Sequence, residues 1–139
     1  MSKTQTLTAN TIKAIVYSDF FTDFSRHVNT GQLNKKTNED AVKQSVRNLL
    51  LTDHYERPFQ PKIGSNLRAL LFENWTPALQ LQCEKYIEEV FDLYEPRADL
   101  LNIQVVPNID RHAIAVTISF RIINSTEPTT LELLVERTR

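Results

Sequence analysis

Glycine is nearly missing from this 139-residue chain, with Gly31 and Gly64 its only examples. Neither of the usual glycine-rich phosphate loops can be written with so few. Cysteine is rarer still. Cys83 stands alone, so no intrachain disulfide framework exists and a reducing cytoplasm is the expected folding compartment. No apolar run nears the ~18 residues of a membrane span, and the first residues lack the apolar block of a signal peptide. His27, His54 and His112 lie too far apart to set a metal-ligand spacing. No serine sits in a nucleophile elbow. A formal net charge of −1 offers no positive field to nucleic acid or anionic lipid. These absences lead us to expect no cofactor, no metal, no nucleic acid and no membrane among the partners.

What is present suits one domain with a modest core: 41% of residues are hydrophobic and 24% charged. Charge is uneven along the chain. Residues 52–99 carry nine acidic and five basic side chains, against four and seven in residues 1–51. That bias points to an acidic helical face rather than to a second domain.

Residues 1–10 are polar and read as mobile, and Ile12, Ile15 and Val16 form at most a short ordered patch. Tyr17 to Phe24 packs four aromatics into eight residues. Two readings fit it: a loop laying its rings over the core, or an arm docking them on a partner. Asn29-Thr30-Gly31 marks a turn, and Lys35-Lys36 reads as solvated loop charge. Residues 1–36 are accordingly expected to form an N-terminal extended arm, with 37–139 as a single α+β domain.

Thr37 is a plausible N-cap for a helix over 38–51, where Val42, Val46, Leu49 and Leu50 share one face. Pro58, Pro61 and Gly64 then break the pattern, and Phe59 between the prolines is expected to anchor in the core. A short helix is expected over Asn66 to Glu73, its cluster extended by Phe72 and Trp75. Thr76-Pro77 is a strong helix start. Leu79, Cys83, Tyr86, Ile87, Val90, Phe91 and Tyr94 form the most regular stripe in the chain. Its buried side should hold Cys83 as a core thiol, while Glu84, Lys85, Glu88, Glu89 and Asp92 form a solvated face.

That helix must stop near Glu95, because Pro96 disfavours a helical backbone at the residue before it. Glu95 and Arg97 thus flank a rigid corner, either clamping it internally or facing a partner. Beyond it the period becomes alternating. Ile103 and Val105 mark a short strand ended by Pro107, Ile114 to Ile122 a second, and Leu131 to Val135 a third. The expected fold is α+β: a small antiparallel sheet of about three strands at the C-terminal end, packed against two longer helices and one short one. Its edges can accept strands from other chains.

Four motifs occur in order: Glu56-Arg57-Pro58-Phe59, Ile63-Gly64-Ser65-Asn66-Leu67, Leu71-Phe72-Glu73 and Tyr94-Glu95-Pro96-Arg97. In this order and spacing the chain resembles the baseplate wedge and sheath-initiator proteins of contractile phage tails, which have a relative in the type VI secretion baseplate. The resemblance runs from about Thr37 to Val135. It implies a structural virion protein, assembled in the host cytoplasm, rather than an enzyme. It implies docking of the Glu95-Pro96-Arg97 corner on other baseplate wedge proteins, addition of strands from the first ring of the tail sheath to the sheet edge, and neighbours among tail tube or hub proteins. The interface residues expected on this basis are Tyr94, Glu95, Pro96, Arg97, Arg57, Thr117, Arg121 and Leu133. Arg97→Ala is expected to lose binding while the subunit stays folded, and prolines at Thr117 and Leu133 to stop strand addition. Some members of the family carry a lysozyme-like label, so the alternative is a peptidoglycan hydrolase using Glu56, Glu73 or Glu95.

Overall fold

The computed structural model describes residues 16–123 and 125–136. The stretch 1–10 and the residues Ile12 and Ile15 singled out above lie outside them. The chain runs through β1 (Ser18–Phe20), β2 (Lys35–Thr37), α1 (Asn38–Leu51), α2 (Leu67–Leu70), α3 (Pro77–Tyr94), β3 (Ala98–Asn108), a 3-10 turn (Ile109–Arg111), β4 (Ala113–Ile122) and β5 (Pro128–Glu136).

Both long helices fall where the 3.6-residue period puts them. Thr76 caps α3, its hydroxyl accepting from the Leu79 amide at 3.2 Å, and Pro77 occupies the first turn where no N–H is needed. The stripe buries Leu79, Cys83, Ile87, Val90 and Phe91, with Tyr86 and Tyr94 packed at its margin. Burial pushes the Cys83 thiol up to about 12, with the charge of Glu84 adding to the shift. Thr37 has the extended backbone of an N-cap but makes no capping hydrogen bond. The short helix is tighter than expected: α2 ends at Leu70, and the chain continues to Glu73 in three-residue turns. Phe72 is mostly exposed there, while Trp75 packs against the core.

The C-terminal sheet is antiparallel in the order β3-β4-β5. Ile114, Val116, Ile118, Phe120 and Ile122 of the central strand all face the helices and are buried. Phe120 meets Phe91 of α3 with ring centroids 5.6 Å apart. The first strand does not stop before Pro107 but runs through it to Asn108, with Pro107 opposite Ile114. An edge strand tolerates this, since proline has no N–H to give to a ladder. The register shifts between Leu100 and Asn102, which bends the same strand.

The aromatic stretch before α1 takes neither of its two expected forms alone. Residues Ser18–Phe20 pair with Lys35–Thr37 as a hairpin, closed by a turn at Asn29-Thr30-Gly31. Tyr17 packs against the core, Phe21 is half-buried, and Phe20 and Phe24 are exposed. Lys35 and Lys36 are not loose loop charges: their ammonium groups stand 5.9 and 5.0 Å from the Phe20 and Phe21 ring centres. Polar ties fix the hairpin to α1. Asn38 Oδ1 accepts from the Val16 and Tyr17 amides, and buried Gln44 donates to the Phe20 carbonyl at 2.7 Å.

Candidate functional site

At the C-terminus of α3 the chain turns through Glu95, Pro96 and Arg97 into β3. Glu95 caps the helix with its amide still bonded to the Phe91 carbonyl. Its side chain is only 1% exposed, and a buried carboxylate needs a counter-charge. Arg97 supplies one in bidentate form, Nε to Oε1 at 2.6 Å and Nη2 to Oε2 at 2.9 Å. The hydrogen bond to Glu95 leads in raising the Arg97 pKa above its usual value; partial burial opposes it, and the fields of Glu95, Tyr17 and Asp19 add to it. The guanidinium carbon also lies 5.5 Å from the Tyr17 ring centre, so one cation joins the corner to the root of the hairpin. Arg97 keeps 35% of its side chain open to water, and Pro96 is exposed. The outer surface of the corner is thus proline and guanidinium, with the carboxylate behind.

This geometry gives Arg97→Ala a second effect beyond the expected loss of docking. Removing the guanidinium leaves Glu95 buried and unpaired, so the variant tests folding as much as docking.

Tyr94 ties the corner to the segment Thr52–Asn66 by donating its hydroxyl to the Lys62 carbonyl at 2.6 Å. That segment is held closely to the core. Ser65 is buried and donates to the Leu50 carbonyl at 2.6 Å, and its amide bonds to the Thr52 carbonyl at 2.8 Å. Gly64 has φ +125, and a Cβ there would sit 2.3 Å from the Thr52 oxygen. Only glycine allows that approach. Arg57 is exposed on this loop. Phe59 is not a core anchor: it points fully into solvent at φ 67, with Tyr55 also exposed at φ 68. Bulky residues rarely adopt left-handed backbone, and here the cross-loop bond from the Tyr55 amide to the Pro61 carbonyl holds the turn.

The remaining expected residues are dispersed over the sheet. Arg121 is exposed at the corner end of β4 and pairs with Asp99 at 3.4 Å, two residues from Arg97. Thr117 belongs to the central strand, matched with Gln104 on one side and Glu132 on the other, so its backbone is no edge. Leu133 lies on β5, which is an edge, but its side chain is buried against the helices. Arg47 of α1 donates to the Glu132 carbonyl at 3.3 Å, which marks that carbonyl as outward-facing. Strand alternation then turns the Leu134 N–H outward and the Leu133 N–H towards β4. A proline at Thr117 or Leu133 therefore breaks the internal ladder, and Leu134 is the position that addresses the edge.

Among the three acids weighed for catalysis, Glu95 has both oxygens held by Arg97, Glu56 accepts from the Asp53 amide at 2.9 Å, and Glu73 is exposed. Sequence reasoning missed Tyr17, Gln44 and the Tyr94 hydroxyl. Their roles come from residues 80, 24 and 32 positions away, which no local pattern signals.

Comparison with known proteins places these features in a family. A protein of Enterobacteria phage T4, the baseplate wedge protein gp25, is 36% identical over 85 residues, which is 61% of this chain. The chain spans 64% of that relative's length. Two solved structures share the fold at 22% identity. One is a Geobacter sulfurreducens protein provisionally described as a tail lysozyme, with TM-score 0.65 over 73% of this chain and 92% of its own. The other is a chain of the anti-feeding prophage baseplate, with TM-score 0.61 over 85% of this chain and 83% of its own. Residues 36–127, from the second strand of the hairpin to the approach to β5, match the family as a whole, and the chain belongs to the family of baseplate wedge protein gp25.

Proposed function

We propose that the chain is a structural baseplate wedge subunit of a contractile tail, resident in the virion, that docks on neighbouring wedge proteins and initiates the sheath. The observation that carries this reading is the Tyr94–Arg97 corner. It is pinned internally by Glu95 and braced by Lys62 and Tyr17, yet it presents Pro96 and one side of Arg97 outward. A surface fixed in advance loses little entropy on docking. Exposed Arg57 and the rings of Tyr55 and Phe59 project from the loop that Tyr94 braces, and extend the surface with residue types favoured at interfaces. The subunit works without catalysis, its buried carboxylate being committed to Arg97.

Sheath initiation is assigned to β5. This strand offers the outward N–H groups of Thr130, Glu132, Leu134 and Glu136, whereas β3, the opposite edge, is interrupted by Pro107 and by its register shift. Arg47 covers one β5 carbonyl and must swing away when a sheath strand adds there.

Two variants separate the two roles. Arg57→Glu lies on the exposed loop and is expected to weaken binding to purified wedge neighbours in calorimetry without lowering the melting temperature. Leu134→Pro is expected to leave wedge binding intact and to abolish sheath growth on reconstituted baseplates seen by electron microscopy. Normal sheaths on the Leu134→Pro subunit would refute strand addition at β5.

A further inference from the structure

The motif Leu71-Phe72-Glu73 has no part in the corner or the sheet edge, yet it borders a cleft of about 130 Å³. Leu71 and Ile114 give it an apolar floor, and Trp75 and Pro107 form its walls. Glu73 and His112 stand at its rim. With a water occupying about 30 Å³ of liquid, this is room for one long side chain and not for a folded segment.

The charge of the cleft is one-sided. The Glu73 carboxylate has no hydrogen bond or ion pair among the described residues, and both it and His112 are exposed. No lysine or arginine lines the cleft. An indole wall beside a free carboxylate suits a cation that is weakly hydrated and flat. A guanidinium fits that description better than an ammonium, because it stacks on aromatic faces and bonds a carboxylate with two parallel donors.

We infer that this cleft is a second docking point, which takes an arginine side chain projecting from a neighbouring protein chain. The arginine stem lies over Leu71 and Ile114, the guanidinium meets Trp75, and its donors reach Glu73. The site lies beside the turn between β3 and β4, whereas the corner lies at the opposite end of β3. It engages a partner independently of the corner and of the β5 edge.

Trp75 is the only tryptophan of the chain, so its fluorescence reports the cleft directly. The isolated subunit is titrated with acetyl-Gly-Arg-Gly-amide and with the same peptide carrying citrulline, which keeps the shape and removes the charge. Saturable change is expected with the arginine peptide and little with citrulline. Glu73→Gln, on an exposed position, is expected to keep its circular dichroism spectrum and to bind the arginine peptide about fivefold more weakly. Three results would overturn the inference: no saturable response to arginine, an equal response to citrulline, or unchanged affinity in the folded Glu73→Gln protein. Because the titration needs neither wedge nor sheath proteins, its failure leaves the proposed function untouched.

Discussion

Two irregular segments flank α1, and each holds one of the chain's two glycines and two exposed aromatic rings. In the hairpin before the helix, Gly31 has φ +66 with nothing within 4 Å of where its Cβ would be. In the loop after it, the same construction at Gly64 meets a backbone oxygen at 2.3 Å. The hairpin is held by strand pairing, by lysines over its rings and by polar ties to α1. The loop is driven into the core by buried Ser65 and braced from the far side by Tyr94. Both glycines have positive φ, so its sign does not distinguish them. What lies next to each one does.

Substitution can break this comparison. Gly64→Ala meets both the backbone clash and the φ penalty, and is expected to cost about 3 kcal/mol or more in urea unfolding. Arg97→Ala comes next. Leaving Glu95 unpaired costs about 3 kcal/mol in a buried pair, and the partial exposure of Arg97 reduces this to about 2 kcal/mol. Because Arg97 also faces Tyr17, hydrogen exchange at the Tyr17 amide should quicken more than in the Thr52–Asn66 loop. Gly31→Ala carries only the φ penalty, expected at about 1 kcal/mol. Equal losses for the two glycine variants would show that the loop is no better anchored than the hairpin.

The two long helices and the three-stranded sheet were legible because their burial follows simple periods. Val42 to Leu50 and Leu79 to Phe91 recur with the turn of a helix, and Ile114 to Ile122 alternate. The corner was legible as a stop signal, since Pro96 acts on its immediate neighbour. Its energetics were not legible. Nothing in the tripeptide says that Glu95 is buried, because burial there depends on the core beneath the end of α3. Phe59 failed for the converse reason: an aromatic between prolines suggests anchoring, yet the turn that brings the Tyr55 amide to the Pro61 carbonyl points the ring outward. Edge position was equally hidden at Thr117 and Leu133, since alternation identifies strands and not their order in the sheet.

That order has a numerical consequence. A sheet competent on both margins can accept a strand at each and so link copies into an open-ended chain. Here β3 is interrupted by Pro107 and a register shift, while β5 is continuous. Strand addition at β5, as proposed above, would therefore saturate at one strand per subunit, and the number of contacts made this way would be capped by the number of subunits present.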